Sequence, residues 1–591
     1  MTTLPPYQGR KRKLVIAFDV GTTYSGISFV ILDPGQVPEI KGVTKFPAQE
    51  HVSGASKIPT VMYYDRAGKV RAAGAEASVE GIFETAEEEQ WIKTEWWKLH
   101  LRSKYGAGRH LSSAIPALPL NKTIVEIFAD FLKYLFECLS TYIKSTYPNG
   151  DALWKSLSGD IDFVLSHPNG WEGSEQTQMR KAAVVAGLIP DTTAGHARLS
   201  FVTEGEASLH FAIHNGLPKG VLQNGEGVVI VDAGGGTVDI SSYRKNPQTK
   251  AFEEIASPQS YFHGSVFVTV HAEAFLENFL SGSPFAEDLD HIVRTFDKTT
   301  KLRFKSADEM QFIKFGSTRD NDPAHNIRFG QLKLPGSEVA HFFQPSVDCI
   351  VSAVLEQKKA SSHPISHVIL VGGFAQSPWL YDRVQSSLTP SGIATFVPEG
   401  HVNKAVSHGT ISFYLDHFVQ SRISKFTYGT MLEVPYNPND LEHQRRLDKV
   451  YTTPAGEKRV PRGFDVILPK GTQVSESSEF RKTYTWISDS KQAFKFMDSI
   501  WCYRGSLANP KWKDEDTENY SKVCYIEVDL SHVKLDKQRN VQTKKKFYTV
   551  QYSIVLLFGM TELKAQIAWT ENGVEKRSPA KIIYDPNTKD V

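Results

Sequence analysis

LVIAFDVGTTYSGISF, Leu14 to Phe29, and VVIVDAGGGTVDIS, Val228 to Ser241, are two copies of one pattern. In each, an apolar run ends in an aspartate, Asp19 or Asp232. A small-residue turn follows, Gly21-Thr22-Thr23 or Gly234-Gly235-Gly236-Thr237, and a second run returns through Ile27-Ser28 or Ile240-Ser241. The aspartates, the first glycines and the Ile-Ser pairs are all separated by 213 positions. A buried strand, a tight turn and a returning strand make a β-hairpin. Two such hairpins so far apart predict two similar lobes facing each other across a cleft.

The residue types suit phosphate chemistry. Glycine lets the backbone turn and come close to a ligand, and successive N–H groups beside small hydroxyls make an anion cradle. Asp19 and Asp232, at strand ends, are expected to direct carboxylates into the cleft, where Mg²⁺ would be held through water together with substrate phosphates. Asp239 is a candidate to polarise an attacking water and Thr237 to touch a terminal phosphate. A lone Gly-rich hairpin is usually only a turn; a matched pair predicts a nucleotide site.

AFDVGTTYSG and VIVDAGGGTVDIS resemble the two phosphate motifs of the seventy-kilodalton heat-shock (DnaK-like) chaperones. HVILVGGFAQSPWL, His367–Leu380, resembles their adenosine segment: a strand, Gly372-Gly373-Phe374, then Ser377-Pro378 opening a helix through Leu388. Weaker matches follow the family's order. They are Ile58-Pro59-Thr60-Val61, Ala73–Ala77, Ser174–Leu188, Val202–Ala207, Gly264-Ser265 and Lys404–Gly409. The resemblance implies a two-lobed actin-like (ribonuclease H-like) α/β ATPase fold that uses ATP/ADP and Mg²⁺. It places a catalytic glutamate on Glu204, with Gly205 where the family has proline, and a catalytic lysine in WIKTEWWKLHLR, Trp91–Arg102. There Lys98 fits better than Lys93. Thr22, Thr23 and Tyr24 join Gly21 around phosphate, as do Gly234, Gly235 and Gly236. Gly264 approaches sugar and phosphates, with Ser265 in place of a second glycine. Lys301, preferred over Lys298 and Arg303 on a helix near residues 290–305, would grip the adenine side.

Beyond about residue 420 the period changes to two. Tyr548 through Phe558, Leu563 through Trp569 and Cys524 through Leu530 alternate apolar and wetter positions, with Asn572-Gly573 as a hairpin turn. An antiparallel β-rich domain, a sandwich, is expected. Phe464–Thr472 and Thr427-Tyr428-Gly429 are similar to the start of the chaperones' peptide-binding domain, here without their helical lid or acidic linker. The whole chain looks most like the divergent branch of the family called protein twelve. The implied organisation is a tail at 1–12, lobe I at 13–225, lobe II at 226–420 and the β-rich domain at 421–591.

The 591 residues carry 67 basic and 66 acidic side chains, so no net charge favours nucleic acid or an anionic membrane. Four scattered cysteines read as reduced core thiols, and the N-terminus lacks a signal-peptide pattern. The cytoplasm is the expected location, with Arg10–Lys13 the only candidate nuclear address. His210 and His214 have metal-ligand spacing but no third ligand, and read as structural. Ile124, Phe128, Phe131, Leu135, Leu139 and Tyr142 make a core stripe on a helix at Lys122–Lys144, with Cys138 on it. Three functions fit: a slow chaperone-like ATPase with polypeptide clients or regulatory partners, a nucleotide sensor with little turnover, and a small-molecule kinase.

Overall fold

Both copies of the repeat form hairpins, and they form them in the same register. In a computed structural model, β1 (Lys13–Val20) pairs antiparallel with β2 (Tyr24–Leu32), matching Phe18 to Ile27 and Asp19 to Gly26. At the offset of 213, Val231 faces Ile240 and Asp232 faces Asp239. The structure describes residues 4–52, 56–101, 115–171, 173–215, 221, 225–398, 402–475, 478–559, 562–579, 581 and 582. Arg102, the side chain of Phe558, residues 1–3 and residues 583–591, all within the expectations above, lie outside the described residues.

The duplication extends to five strands of each sheet. With β3 (Lys41–Gly42), β4 (Ile161–His167) and β5 (Leu199–Thr203), the first sheet runs β3-β2-β1-β4-β5. β6 (Gly227–Ala233), β7 (Val238–Lys245), β8 (Phe252–Tyr261), β9 (Ile365–Val371) and β10 (Ala394–Phe396) run β8-β7-β6-β9-β10. Order and direction match strand for strand. The hairpins and third strands are antiparallel, and the last two strands of each sheet run parallel to the first.

Helices repeat the correspondence. α1 (Ile124–Thr146) precedes β4, and α2 (Glu204–His214) follows β5. α3 (Gly336–Ala360) precedes β9, and α4 (Ala405–Asp416) follows β10. α1 begins with its apolar stripe, two residues after the expected start at Lys122, because Thr123 and Glu126 form a reciprocal capping box there. Successive strand residues face opposite sides of a sheet. Thus Leu14, Ile16 and Phe18 pack toward Phe128, Phe131 and Leu135 of α1, and Cys138 joins them. Val15 and Ala17 pack instead with Val406, Ile411 and Phe413 of α4. In the second sheet Val229 and Val231 share a core with Phe342 and Phe343 of α3, while Val228 and Ile230 pack with Leu209 and Phe211 of α2. The helix after each sheet therefore packs on the other sheet. The two cross where a Cβ on Gly409 would lie 1.7 Å from the Ala207 carbonyl oxygen, so only glycine fits.

Contacts divide the chain into two units, Met1–Trp171 with Gln178–Val419, and Gln420–Val591 with Glu172–Thr177. In the second, one antiparallel sheet includes Thr427–Pro435, Lys458–Leu468, Lys495–Tyr503 and Tyr520–Asp529. Another includes Glu479–Ser488, Lys546–Gly559 and Glu562–Glu571. Ile500, Cys502 and Ile526 of one sheet share a core with Tyr552, Ile554 and Ile567 of the other, which makes this unit a sandwich. Asn572 and Gly573 take φ of 52° and 80°, the pair of positive values a tight hairpin turn needs. All four cysteines are free thiols. Among the described residues no helix is long and apolar enough to cross a membrane.

Candidate nucleotide site

The parallel strands β1, β4, β5, β6 and β9 all end on one region, the carboxyl edge where open α/β sheets leave room for a ligand. Asp19 ends β1, Asp232 ends β6, Glu204 opens α2 just past β5, and Gly372 follows β9. Asp239 is carried back to the same edge by the hairpin, facing Asp232. Two carboxylates directly opposite on neighbouring strands repel, so burying Asp232 against Asp239 costs stability.

Each carboxylate has a partner. Lys98 Nζ donates to Glu204 Oε1 at 2.8 Å and stands 5.2 Å from the centre of the Trp171 ring. Lys98 is held there because its neighbour Trp97, fully buried, packs 5.6 Å from both Phe128 and Phe131 of α1. Lys93, the other candidate, pairs with Glu95 instead. Ser208 Oγ donates to Asp232 Oδ2 at 2.8 Å, and the Asn169 N–H donates to Asp239 Oδ1 at 2.5 Å. Asn169 Oδ1 in turn accepts from the Gly205 N–H at 3.2 Å, tying the end of β4 to the start of α2. Asp239 Oδ2 has no hydrogen-bond partner. Burial, then the charges of Glu204 and Asp239, push Asp232 well above the carboxylate range. Burial, then Glu204, raises Asp239 to about 7, although Asn169 and the nearby Thr237 and Ser260 hydroxyls oppose the rise.

Asp19 is paired by a residue that the sequence did not single out. Lys57 Nζ donates to Asp19 Oδ2 at 2.8 Å, and Ser166 Oγ to Oδ1 at 3.4 Å. Burial alone would depress the Lys57 ammonium, but Asp19, Asp232 and Glu204 outweigh it and raise its pKa. Asn169 had one legible signal, the Pro-Asn-Gly turn at residues 168–170 after a third apolar strand. Lys57 had none.

The two turns meet. A Cβ on Gly235 would lie 2.2 Å from Thr23 Oγ1, and one on Gly236 would lie 2.4 Å from Thr22 Oγ1. The carbonyls of Gly234, Gly235 and Gly236 accept from the N–H groups of Ser265, Val266 and Gly264, at the start of helix Ser265–Phe279. With those carbonyls engaged, the N–H groups of Gly235, Gly236 and Thr237, and those of Gly21, Thr22 and Thr23, donate to no acceptor among the described residues. Such rows of unengaged donors form anion-binding concavities. Gly264 sits so close to the turn that a Cβ there would meet Gly235 O at 2.4 Å and two further backbone carbons below 3 Å. Gly264→Ala is therefore expected to cost roughly 1–3 kcal/mol of stability, read as a lower urea midpoint; an unchanged midpoint would contradict this packing.

The adenine-side candidates are placed unevenly. Lys301 is buried after a single π-helical turn, Phe296–Thr300, bonded to the Ser265 carbonyl, Thr269 Oγ1 and Asp297. It lies beside Gly264, but its charge is already matched. Lys298 lies within the same turn and Arg303 just after it. Gly372, at φ 91°, brings β9 against β6, where a side chain would strike Ala233 O and Asp232 Oδ1. Gly373 borders open space. The Phe374 ring is committed to the core beside Phe343, 6.1 Å away, so only its backbone remains for a ligand. Ser377 caps the helix Pro378–Leu388 through the Leu380 N–H, as its place before proline predicts. Tyr24 opens β2, its phenol pushed up by surrounding atoms and then by Asp297. His210 stacks on Phe418 and His214 pairs with Asp416, a structural use of both. No group of three metal-ligating side chains occurs among the described residues.

No family model matches the chain. Heat shock 70 kDa protein 12A of Mus musculus is 24% identical over 490 residues, covering 70% of this chain and 71% of that protein. Heat shock 70 kDa protein 12A of Homo sapiens is 22% identical over 499 residues, and heat shock 70 kDa protein 12B of Homo sapiens 22% over 500, with the same coverage. The chain thus has homologues among the seventy-kilodalton heat-shock proteins. Within them these relatives are the 12A and 12B proteins, the branch that its motifs resemble.

Proposed function

We propose that the first unit is a two-lobed actin-like domain that binds ATP or ADP and hydrolyses ATP slowly, and that the β-sandwich engages polypeptide. The observation that carries this reading is the pair of in-register hairpins. They bring two rows of unengaged N–H donors and three buried aspartates to one edge.

The parts fit a nucleotide by their chemistry. Four carboxylates, Asp19, Glu204, Asp232 and Asp239, stand against two ammoniums, Lys57 and Lys98, which leaves a deficit of positive charge in a buried place. Asp19 and Asp232 would hold Mg²⁺ through its waters, and the ion would supply charge neutralisation at the phosphates. The N–H groups at residues 21–23 and 235–237 would take phosphate oxygens, with the Thr22, Thr23 and Thr237 hydroxyls beside them. Asp239 Oδ2, raised in pKa and lacking a partner, suits a general base that positions water for in-line attack. Glu204 fixes Lys98, whose ammonium would offset charge developing on the transferred phosphoryl group. Gly264, Lys301 and Gly372-Gly373 would line the nucleoside. The β-sandwich assignment to polypeptide rests on the heat-shock resemblance of its first strands, and regulatory proteins are the other partner class.

Radiolabelled ATP with the full-length protein and Mg²⁺, following bound nucleotide and released phosphate together, tests the reading. Bound nucleotide with slow phosphate release is expected, and that release is expected to be lost in Asp19→Asn and Asp232→Asn. Unchanged turnover in both variants would overturn the site. Binding without release would favour a nucleotide sensor instead, a reading that Gly205 at the head of α2 and Lys57 on Asp19 also support. Label passed to a metabolite rather than to water would favour a kinase.

A further inference from the structure

The two hairpins differ at the residue that faces the first aspartate. Asp232 faces Asp239 in the second hairpin, whereas its counterpart Asp19 faces Gly26 in the first. Lys57 crosses the room so left: a Cβ on Gly26 would lie 3.4 Å from Lys57 Cγ and 3.6 Å from Cε. From there Nζ reaches Asp19 Oδ2 at 2.8 Å. An ammonium has three donors. The other two of Lys57 have no acceptor among the described residues, and its side chain is 19% exposed. Asp232 and Glu204 also feel its charge. Where the second hairpin offers a second carboxylate, the first offers a tethered cation.

We propose that Lys57 is a built-in cation of the nucleotide site, supplying part of the positive charge that a divalent metal otherwise brings to the phosphates. This chain then binds adenine nucleotide with little dependence on Mg²⁺. The inference rests on the nucleotide reading above. Mg²⁺ is held by carboxylates acting on its waters. An Asp19 already neutralised by an ammonium holds those waters less strongly, while the ammonium's spare N–H groups can donate to a phosphate oxygen directly. Gly26 places no second carboxylate opposite Asp19, where the second hairpin has Asp239 opposite Asp232.

Calorimetric titration of the full-length protein with ADP, in excess Mg²⁺ and in excess EDTA, tests this. The wild type is expected to lose less than about threefold in affinity when Mg²⁺ is removed. Lys57→Met should lose affinity in both conditions, by about tenfold or more in EDTA, the size of a charged hydrogen bond, and by several-fold less in Mg²⁺. Lys57→Arg, which keeps the charge, should retain most of the wild-type ratio. A Lys57 that only neutralised Asp19 for folding would lower the melting temperature without moving the EDTA-to-Mg²⁺ ratio, and that result overturns the proposal. An equal loss in EDTA for wild type and Lys57→Met overturns it too. If Lys57→Met does not fold, the wild type alone decides, because a loss above about threefold in EDTA is incompatible with the proposal. A cooperatively melting wild type that binds no ADP in either condition overturns the nucleotide reading itself.

Discussion

Asp239→Asn is expected to lower phosphate release by about 10²–10⁴-fold, the range removed with a positioned general base, while leaving nucleotide bound. Asparagine keeps an Oδ1 to accept the Asn169 N–H, so the link to β4 survives. What changes is the other atom: Oδ2 has no hydrogen-bond partner, and an amide there cannot take a proton from water. The pH dependence gives an independent check. Asp239 is raised to about 7 by burial and by Glu204, so a rate that needs its ionised form climbs as pH rises through neutrality and levels above it. The variant should lack that limb. Stability runs the other way. A carboxylate raised in the folded state holds a proton that the unfolded chain has already released, so stability falls as pH climbs from about 4 toward 7. The asparagine variant escapes that loss and should gain melting temperature on wild type between pH 5 and pH 8. A variant that releases phosphate at the wild-type rate at pH 8 would remove Asp239 from the chemistry.

What was legible in the sequence is what repeats or alternates. The hairpins announced themselves because strand period, glycine turns and an offset of 213 agree, and the offset extends to strand order and to the face each residue takes. The sandwich was legible from its alternation. Lys98 came through resemblance to a family. Its physical reason, a fully buried Trp97 wedged against α1, lies in packing that a local window does not reveal. Lys57 and Asn169 were hidden because each acts across the fold, on Asp19 thirty-eight residues away and on Asp239 seventy away. A lysine with no periodic context reads as a surface charge. Phe374 follows a strand-Gly-Gly pattern that the sequence shows, whereas the place of its ring in the core depends on packing against Phe343. Gly205 is explained only in space. A side chain there would press on Ser241 Oγ and on Asn169, and a proline would also remove the N–H that Asn169 Oδ1 accepts.

Lys98→Met is expected to be among the most destabilising single substitutions in the first unit, by about 3–5 kcal/mol, the cost of leaving one member of a buried ion pair without its partner. Lys98 is 3% exposed and Glu204 9%, so solvent screens little of their 2.8 Å contact. One effect opposes the loss. Glu204 is the first residue of α2, where the helix dipole favours a negative charge by roughly 0.3–1 kcal/mol. That is too small to replace the ammonium, because Asp232 and Asp239 stand close enough for Glu204 to raise both. Without Lys98, the buried Glu204 carboxylate has no counter-charge beside it. Urea denaturation at pH 8 should show the deficit. Adding Glu204→Gln should recover much of it, since a neutral amide beside methionine leaves no buried charge. A double variant as unstable as Lys98→Met alone would mean that the deficit comes from lost packing on Trp171. A Lys98→Met protein within about 1 kcal/mol of wild type at pH 8 would mean that the pair is not a buried ionic contact, and Lys98 would lose its place in the site.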